Sequence, residues 1–235
     1  MGSKITFYIV RHGKTILNTM DKVQGWSDTP LTKEGVEVVE NLGKGLKDIT
    51  FSSAFCSDLR RTRETLHIIL KNSDQKGLSV IEKPELREIC FGSYETALAT
   101  EMFKDVALYL HYTNAQDLFN DIFDKNKEIT YKEAVNTLSI IDPMKMAEDF
   151  NTVEKRMHKA LSDIVEIESK YNENRNVLIV SHGLSINVML YNLGGKKLFI
   201  KDLENASVCK LIFEDEKYMI EAINDMSYVE KGKNS

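Results

Sequence analysis

Ile5-Thr6-Phe7-Tyr8-Ile9-Val10-Arg11-His12-Gly13 is the stretch on which the reading of the fold turns. Its first six residues are uncharged and rich in β-branched and aromatic side chains, the signature of a buried strand, and the run stops abruptly at Arg11-His12-Gly13. The same order returns late in the chain, where Val177-Leu178-Ile179-Val180 leads into Ser181-His182-Gly183. Two strands that each end in a histidine followed by glycine place both imidazoles on one rim of a sheet, where ligands of such sheets bind. Each glycine removes the Cβ where a ligand must approach the backbone. The helix expected after each pair would aim free N–H groups and a positive dipole end at an anion.

Outward from these two strands, the pattern alternates. Thr32 reads as the N-cap of a helix with Val36, Val39, Leu42 and Leu46 on one face. Phe51–Cys56 reads as a strand, with Ser57 or Asp58 capping a helix that carries Leu59, Leu66, Ile69 and Leu70, and Ser79–Glu82 is a short strand. From about 95 to 171 the texture is helical, with one proline (Pro143) and no glycine, ending in a periodic helix from about Asp149 to Tyr171. After Val177–Val180 come a helix from about Leu184 to Leu193 and two closing strands, Ala206–Phe213 and Tyr218–Ile223. Strands alternating with helices predict an α/β three-layer sandwich: a mostly parallel sheet, helices on both faces, and a helical cap inserted at about 95–148 into a single domain spanning 1–235. Gly43-Lys44-Gly45 has no strand before it and is no phosphate loop.

Composition narrows the function classes. The net charge is −5 over 235 residues, with acidic and basic residues interleaved, so neither nucleic acid nor an anionic membrane is an expected partner. No apolar run has the length of a membrane span, and no secretory leader is recognisable. Cys56, Cys90 and Cys209 are odd in number and widely spaced, as reduced thiols in a cytoplasmic chain would be. His67, His111 and His158 lack ligand-like partners three or four residues away, so no metal site is expected.

An anion must therefore be held locally. Arg11 offers a fixed fork of donors suited to phosphate oxygens beside His12. Ser57-Asp58-Leu59-Arg60-Arg61-Thr62-Arg63-Glu64-Thr65 opens a helix with cations, which oppose its dipole unless an anion sits in front of them. Charge alone does not choose among Arg60, Arg61 and Arg63.

These segments together resemble the histidine phosphatase superfamily, also called the phosphoglycerate mutase-like family. Its Arg-His-Gly hallmark stands as Arg11-His12-Gly13, running on to Asn18. Its Gln-Gly-x-x-Asp-x-Pro-Leu-Thr segment is complete from Gln24 to Thr32, and its Ser-Asp-Leu-x-Arg helix matches at Ser57–Leu59, Arg61 and Thr65. Leu86-Arg87-Glu88-Ile89-Cys90-Phe91-Gly92, Ser181-His182-Gly183 and Leu203–Ser207 complete a series that runs in family order from residue 4 to about 213.

The resemblance implies roles. His12 would be the nucleophile, Arg11, Arg61 and His182 would surround the phosphoryl oxygens, and Glu88 would protonate the leaving oxygen and then activate water. Asn18, Gln24, Gly25 and Gly183 would supply further substrate contacts. No cofactor and no metal are implied; the expected partner is a small phosphorylated substrate. Two departures stand out. The family often carries aromatic-Glu-Gly after the acidic motif, where this chain has Tyr94-Glu95-Thr96. Its mutases carry arginines in the cap, whereas here the span from Glu95 to Lys155 has none and offers Lys104, Lys125, Lys127, Lys132 and Lys145. The expected activity is thus a phosphomonoesterase working through phosphohistidine, with a phosphoglycerate mutase or a catalytically silent phospho-ligand binder as the rivals.

Overall fold

The computed structural model describes residues 3–124, 130–193, 200–201 and 203–235. In chain order the elements are β1 (Ile5–Arg11), α1 (Ile16–Thr19), α2 (Lys33–Gly45), β2 (Ser53–Cys56), α3 (Arg60–Asn72), β3 (Val80–Glu82), α4 (Ala99–Tyr109), α5 (Ala115–Phe123), α6 (Tyr131–Ile141), α7 (Phe150–Glu168), β4 (Arg175–Ser181), α8 (Gly183–Tyr191), β5 (Val208–Glu214), β6 (Lys217–Asp225) and α9 (Ser227–Lys233). The fold is α/β, with a six-stranded sheet ordered β3-β2-β4-β1-β5-β6. The pairs from β3 to β1 are parallel, while β5 and β6 add antiparallel to the other side of β1.

The period of β1 explains the apolar run that announced it. Ile5, Phe7 and Ile9 enter one core with Phe55, Val177 and Ile179, against α4, α6, α7 and α8. Tyr8 and Val10 enter the other with Leu178 and Val180, against α2, α3 and α9. A strand covered on both faces has no polar side to alternate with. Buried residues of the helical stretch, including Met102, Val106, Leu118 and Leu138, belong to the first of these cores.

Local signals mostly fall where expected. Thr32 caps α2 by accepting from the Gly35 N–H, and Asp149 caps α7 by accepting from Thr152. The long helix ends at Glu168, and a 3₁₀ turn carries the chain on to Tyr171. Gly43-Lys44-Gly45 serves packing: a Cβ on Gly45 would meet the Tyr228 carbonyl at 1.8 Å, and one on Gly232 the Asn41 carbonyl at 1.8 Å. Helices α2 and α9 thus touch backbone to backbone. Cys56, Cys90 and Cys209 are free and buried, and burial pushes the Cys56 thiol up to about 12. No helix among the described residues is long and apolar enough to cross a membrane.

Thr96, which stands where the related motif has glycine, takes φ 69°. That left-handed conformation is strained for a β-branched residue, and the Thr96 side chain is exposed, so it gains no packing in return. Thr96→Gly is expected to stabilise the fold by about 1 kcal/mol, raising Tm by roughly 2–4 °C. Thermal unfolding of the two proteins checks this, and an unchanged or lower Tm would refute it.

Candidate active site

The register of two neighbouring strands builds the centre. Val10 pairs with Val180 and Arg11 with Ser181, so His12 and His182 leave the sheet side by side, their ring centroids 5.2 Å apart in an edge-to-face arrangement. The His12 N–H donates to the Ser181 carbonyl, and the Asn205 amide donates to the His12 carbonyl. His12 Nδ1 lies 2.8 Å from the Gly13 carbonyl. A carbonyl only accepts, so Nδ1 carries the proton and Nε2 keeps its lone pair.

His182 is pinned at both nitrogens. Nδ1 accepts from Arg61 Nε at 3.1 Å, and Nε2 donates to Ser57 Oγ at 2.8 Å. Arg61 has no exposed side-chain surface, and protein acceptors engage each of its five N–H groups. Besides His182 these are the Ser27 carbonyl and Asp28 carboxylate at Nη1, and the Gln24 and Gly25 carbonyls at Nη2. The cationic first turn of α3 is therefore balanced by the protein itself: Asp28 faces Arg61, Glu64 faces Arg60, and Glu82 faces Arg63. The α3 cap also differs from expectation. Leu59 occupies the cap position without a side-chain bond, and Asp28 accepts the Arg60 N–H from across the chain.

Glu95 fixes the loop that supplies those carbonyls. Its carboxylate accepts from the backbone N–H groups of Gly25, Trp26, Ser27 and Phe91. A Cβ on Gly25 would stand 2.2 Å from the Ile89 carbonyl and 2.3 Å from Glu95 Oε1. Gly25 is thus required for close approach of two protein segments, and its N–H is already spent on Glu95.

Glu88 sits at the amino end of α8. Oε1 accepts from Ile89 and Ser185, and Oε2, among the described residues, from Leu184. The helix N-terminus expected to face an anionic ligand is thus occupied by this carboxylate. After His12 the expected helix is only the four-residue α1, capped by Thr15, so no long dipole follows the first histidine. Arg156 holds the acidic segment from behind, donating to the Glu85, Arg87 and Glu88 carbonyls while paired with Glu148. Trp26 Nε1 donates to the Glu88 carbonyl as well.

These groups wall a cavity of about 600 Å³. Arg11, His12, Asn18, Gln24, Glu88 and Gly183 line it, whereas Arg61, His182 and Gly25 lie one layer behind. Gln24 is oriented by Thr15 and Thr29, and Asn18 by the Thr15 capping box. A Cβ on Gly183 would come within 3.2 Å of Arg11 Nε, so the glycine lets the arginine lie across the start of α8. Arg11 donates to the Leu203 carbonyl through Nη1, while its buried Nε has no partner among the described residues. Lys14 and Lys201 also line the cavity; they had no motif to mark them. Of the cap lysines, Lys132 and Lys145 bond to Asn151 and the Ile140 carbonyl, Lys104 is absent from the wall, and Lys125 and Lys127 lie outside the described residues.

Burial, then the charges of Arg61 and Arg11, hold the His12 pKa well below its usual value; the Gly13 hydrogen bond opposes them. Burial likewise dominates at His182, followed by Arg61, and pushes its pKa well down. Both imidazoles are neutral bases at neutral pH.

Comparison with known proteins follows the same line. A family model described as "Histidine phosphatase superfamily (branch 1)" matches residues 7–226. A probable phosphoglycerate mutase GpmB of Erwinia tasmaniensis is 26% identical over 231 residues, covering 95% of this chain and 94% of that protein. A crystal structure of phosphoglycerate mutase from Bacillus anthracis is 39% identical with TM-score 0.90, covering 99% of this chain and 98% of the other. A putative alpha-ribazole-5'-P phosphatase from Escherichia coli shares the fold at 20% identity and TM-score 0.68, over 94% and 97% of the two chains. With the match spanning both histidine motifs and the acidic segment between them, the chain belongs to the histidine phosphatase superfamily.

Proposed function

We propose that the protein is a cytoplasmic, metal-independent phosphomonoesterase that transfers the phosphoryl group of a small phosphorylated metabolite to His12 and then to water. The observation that carries this reading is the state of the His12 ring: Nδ1–H is committed to Gly13, leaving an Nε2 lone pair on a neutral imidazole in the cavity wall. As the N–P bond forms, the bond from phosphorus to the leaving oxygen breaks. Glu88 enters the first step protonated on Oε2, which has one backbone donor among the described residues, and gives that proton to the leaving oxygen. It then takes a proton from the water that attacks phosphorus as the N–P bond breaks and His12 is regenerated. Arg11 faces the developing charge, and its unpartnered Nε gains an acceptor when an oxyanion is present. Arg61 and His182 act from the second layer, where the Arg61 charge adds to burial in keeping His12 unprotonated.

The mutase reading draws on the Bacillus anthracis relative and on Lys14 and Lys201, two cations in the wall that a substrate carboxylate would meet. Against it, no arginine is contributed by the cap, and a planar guanidinium is the better carboxylate clamp.

The neutral rings have a stability consequence. Their folded pKa values lie below the unfolded value of about 6.5, so below that pH the unfolded chain binds more protons. Stability is fully present above pH of about 6.5 and is lost on acidification, by up to about 2.7 kcal/mol per pH unit for two rings. Urea unfolding from pH 7.5 to 5.5 in phosphate-free buffer measures this slope. His12→Ala is expected to halve it, and a flat wild-type profile would contradict the neutral-ring assignment.

On quenching a reaction with a labelled phosphomonoester, acid-labile, base-stable phosphate is expected on the wild type and not on His12→Ala. Exhaustive EDTA treatment is expected to leave turnover unchanged. Label retained by the variant, or activity lost to EDTA and restored by Mg²⁺, would refute the mechanism.

With 3-phosphoglycerate and a trace of 2,3-bisphosphoglycerate, the expected result is little isomerisation. Fast isomerisation without phosphate release would make the protein a mutase.

A further inference from the structure

Beside the cavity at His12 lies a second, apolar chamber of about 280 Å³ beneath α4, α5 and α6. Ile89, Phe103, Phe119 and Val135 are among its walls, and Phe91, Phe103, Leu184 and Lys201 line both spaces, so the two share a wall. Protein interiors hold few voids larger than a water molecule, and close packing alone does not account for an aromatic chamber of this size.

Its place relative to the chemistry gives it meaning. In-line transfer to His12 puts the leaving oxygen on the far side of phosphorus, next to the proton donor Glu88. The chamber begins there: Ile89 follows Glu88 in the chain, and Leu184, whose N–H holds Glu88 Oε2, is part of the shared wall. Tyr131, another wall residue, lies close enough to Glu88 for that charge to add to the effect of burial on its hydroxyl. Whatever is attached to the leaving oxygen is therefore directed towards hydrocarbon. Lys201, with its Nζ 5.5 Å from the Phe123 ring centroid, is the cation at this boundary.

We propose that this chamber is the leaving-group subsite, and that the substrates are monoesters whose alcohol carries an aromatic or bulky hydrocarbon group. The proposal rests on the phosphatase reading for its chemistry but is tested separately from it.

Two pairs of compounds isolate the apolar contribution. Phenylethyl phosphate and ethyl phosphate leave as similar alkoxides, and 3-phenylpropylphosphonate and propylphosphonate are their non-hydrolysable counterparts. Burying one ring is expected to favour the phenyl member by about 30- to 100-fold, in kcat/KM for the phosphates and in Kd by calorimetry for the phosphonates. Ala134→Phe, which fills the chamber from α6, is expected to cut both preferences at least tenfold. Circular dichroism and the Kd for propylphosphonate report whether that variant is folded, and the wild-type comparisons stand without it. Equal affinity of the two phosphonates, or a phenyl preference unchanged in folded Ala134→Phe, would overturn the subsite. Tight, Ala134-dependent 3-phenylpropylphosphonate binding with no hydrolysis of either phosphate would uphold the subsite and refute the phosphatase reading. Hydrolysis of both phosphates without preference would do the reverse.

Discussion

A guanidinium with no contact with water must find an acceptor for every N–H, and Arg61 finds all of its acceptors within the protein. Removing one partner of a buried ion pair costs on the order of 3–5 kcal/mol, a large share of a net stability of about 5–15 kcal/mol. That scale exceeds any turn propensity of residues 24–28, so the loop takes the shape the arginine demands. Its carbonyls turn inwards towards Arg61, its amides turn outwards, and Glu95 collects three of them. Gly25 is small because that arrangement leaves no space between the loop, Ile89 and Glu95.

From this buried layer the reactive layer takes its properties. Arg61 fixes the tautomer of His182 through Nδ1, and its charge helps keep His12 deprotonated. The Gly13 carbonyl then selects which nitrogen of His12 faces the cavity. Glu88 is positioned by a separate set of contacts, with Arg156 and Trp26 on its carbonyl and the start of α8 on its carboxylate. Charge is thus concentrated behind the histidines, while the cap side of the same cavity is hydrocarbon.

The parts of this arrangement legible in the sequence are those set by neighbours in the chain. β1 and β4 were readable because double-sided burial leaves an unbroken apolar run, and Thr32 because it caps its own helix. His12, Glu88 and Arg11 stood out through motif order. What escaped depends on distant partners. Asp28 caps α3 from another segment, Glu95 organises a loop seventy residues upstream of it in Gly25, and α9 is a short, charged helix held by backbone contact with α2. Thr96 was visible as a departure, but only its φ value shows why glycine suits the place.

The strand order also bears on how the chain is made. Among the described residues β1 pairs with β4 and β5, which begin at Arg175 and Val208. During vectorial synthesis β1, with six buried residues, therefore emerges ahead of both of its sheet partners. Long-range pairing of this kind is slow and leaves sticky surface exposed to aggregation, the circumstance in which nascent chains recruit chaperones. The two histidines meet only when β4 inserts beside β1, so no fragment ending before Arg175 can bring them together.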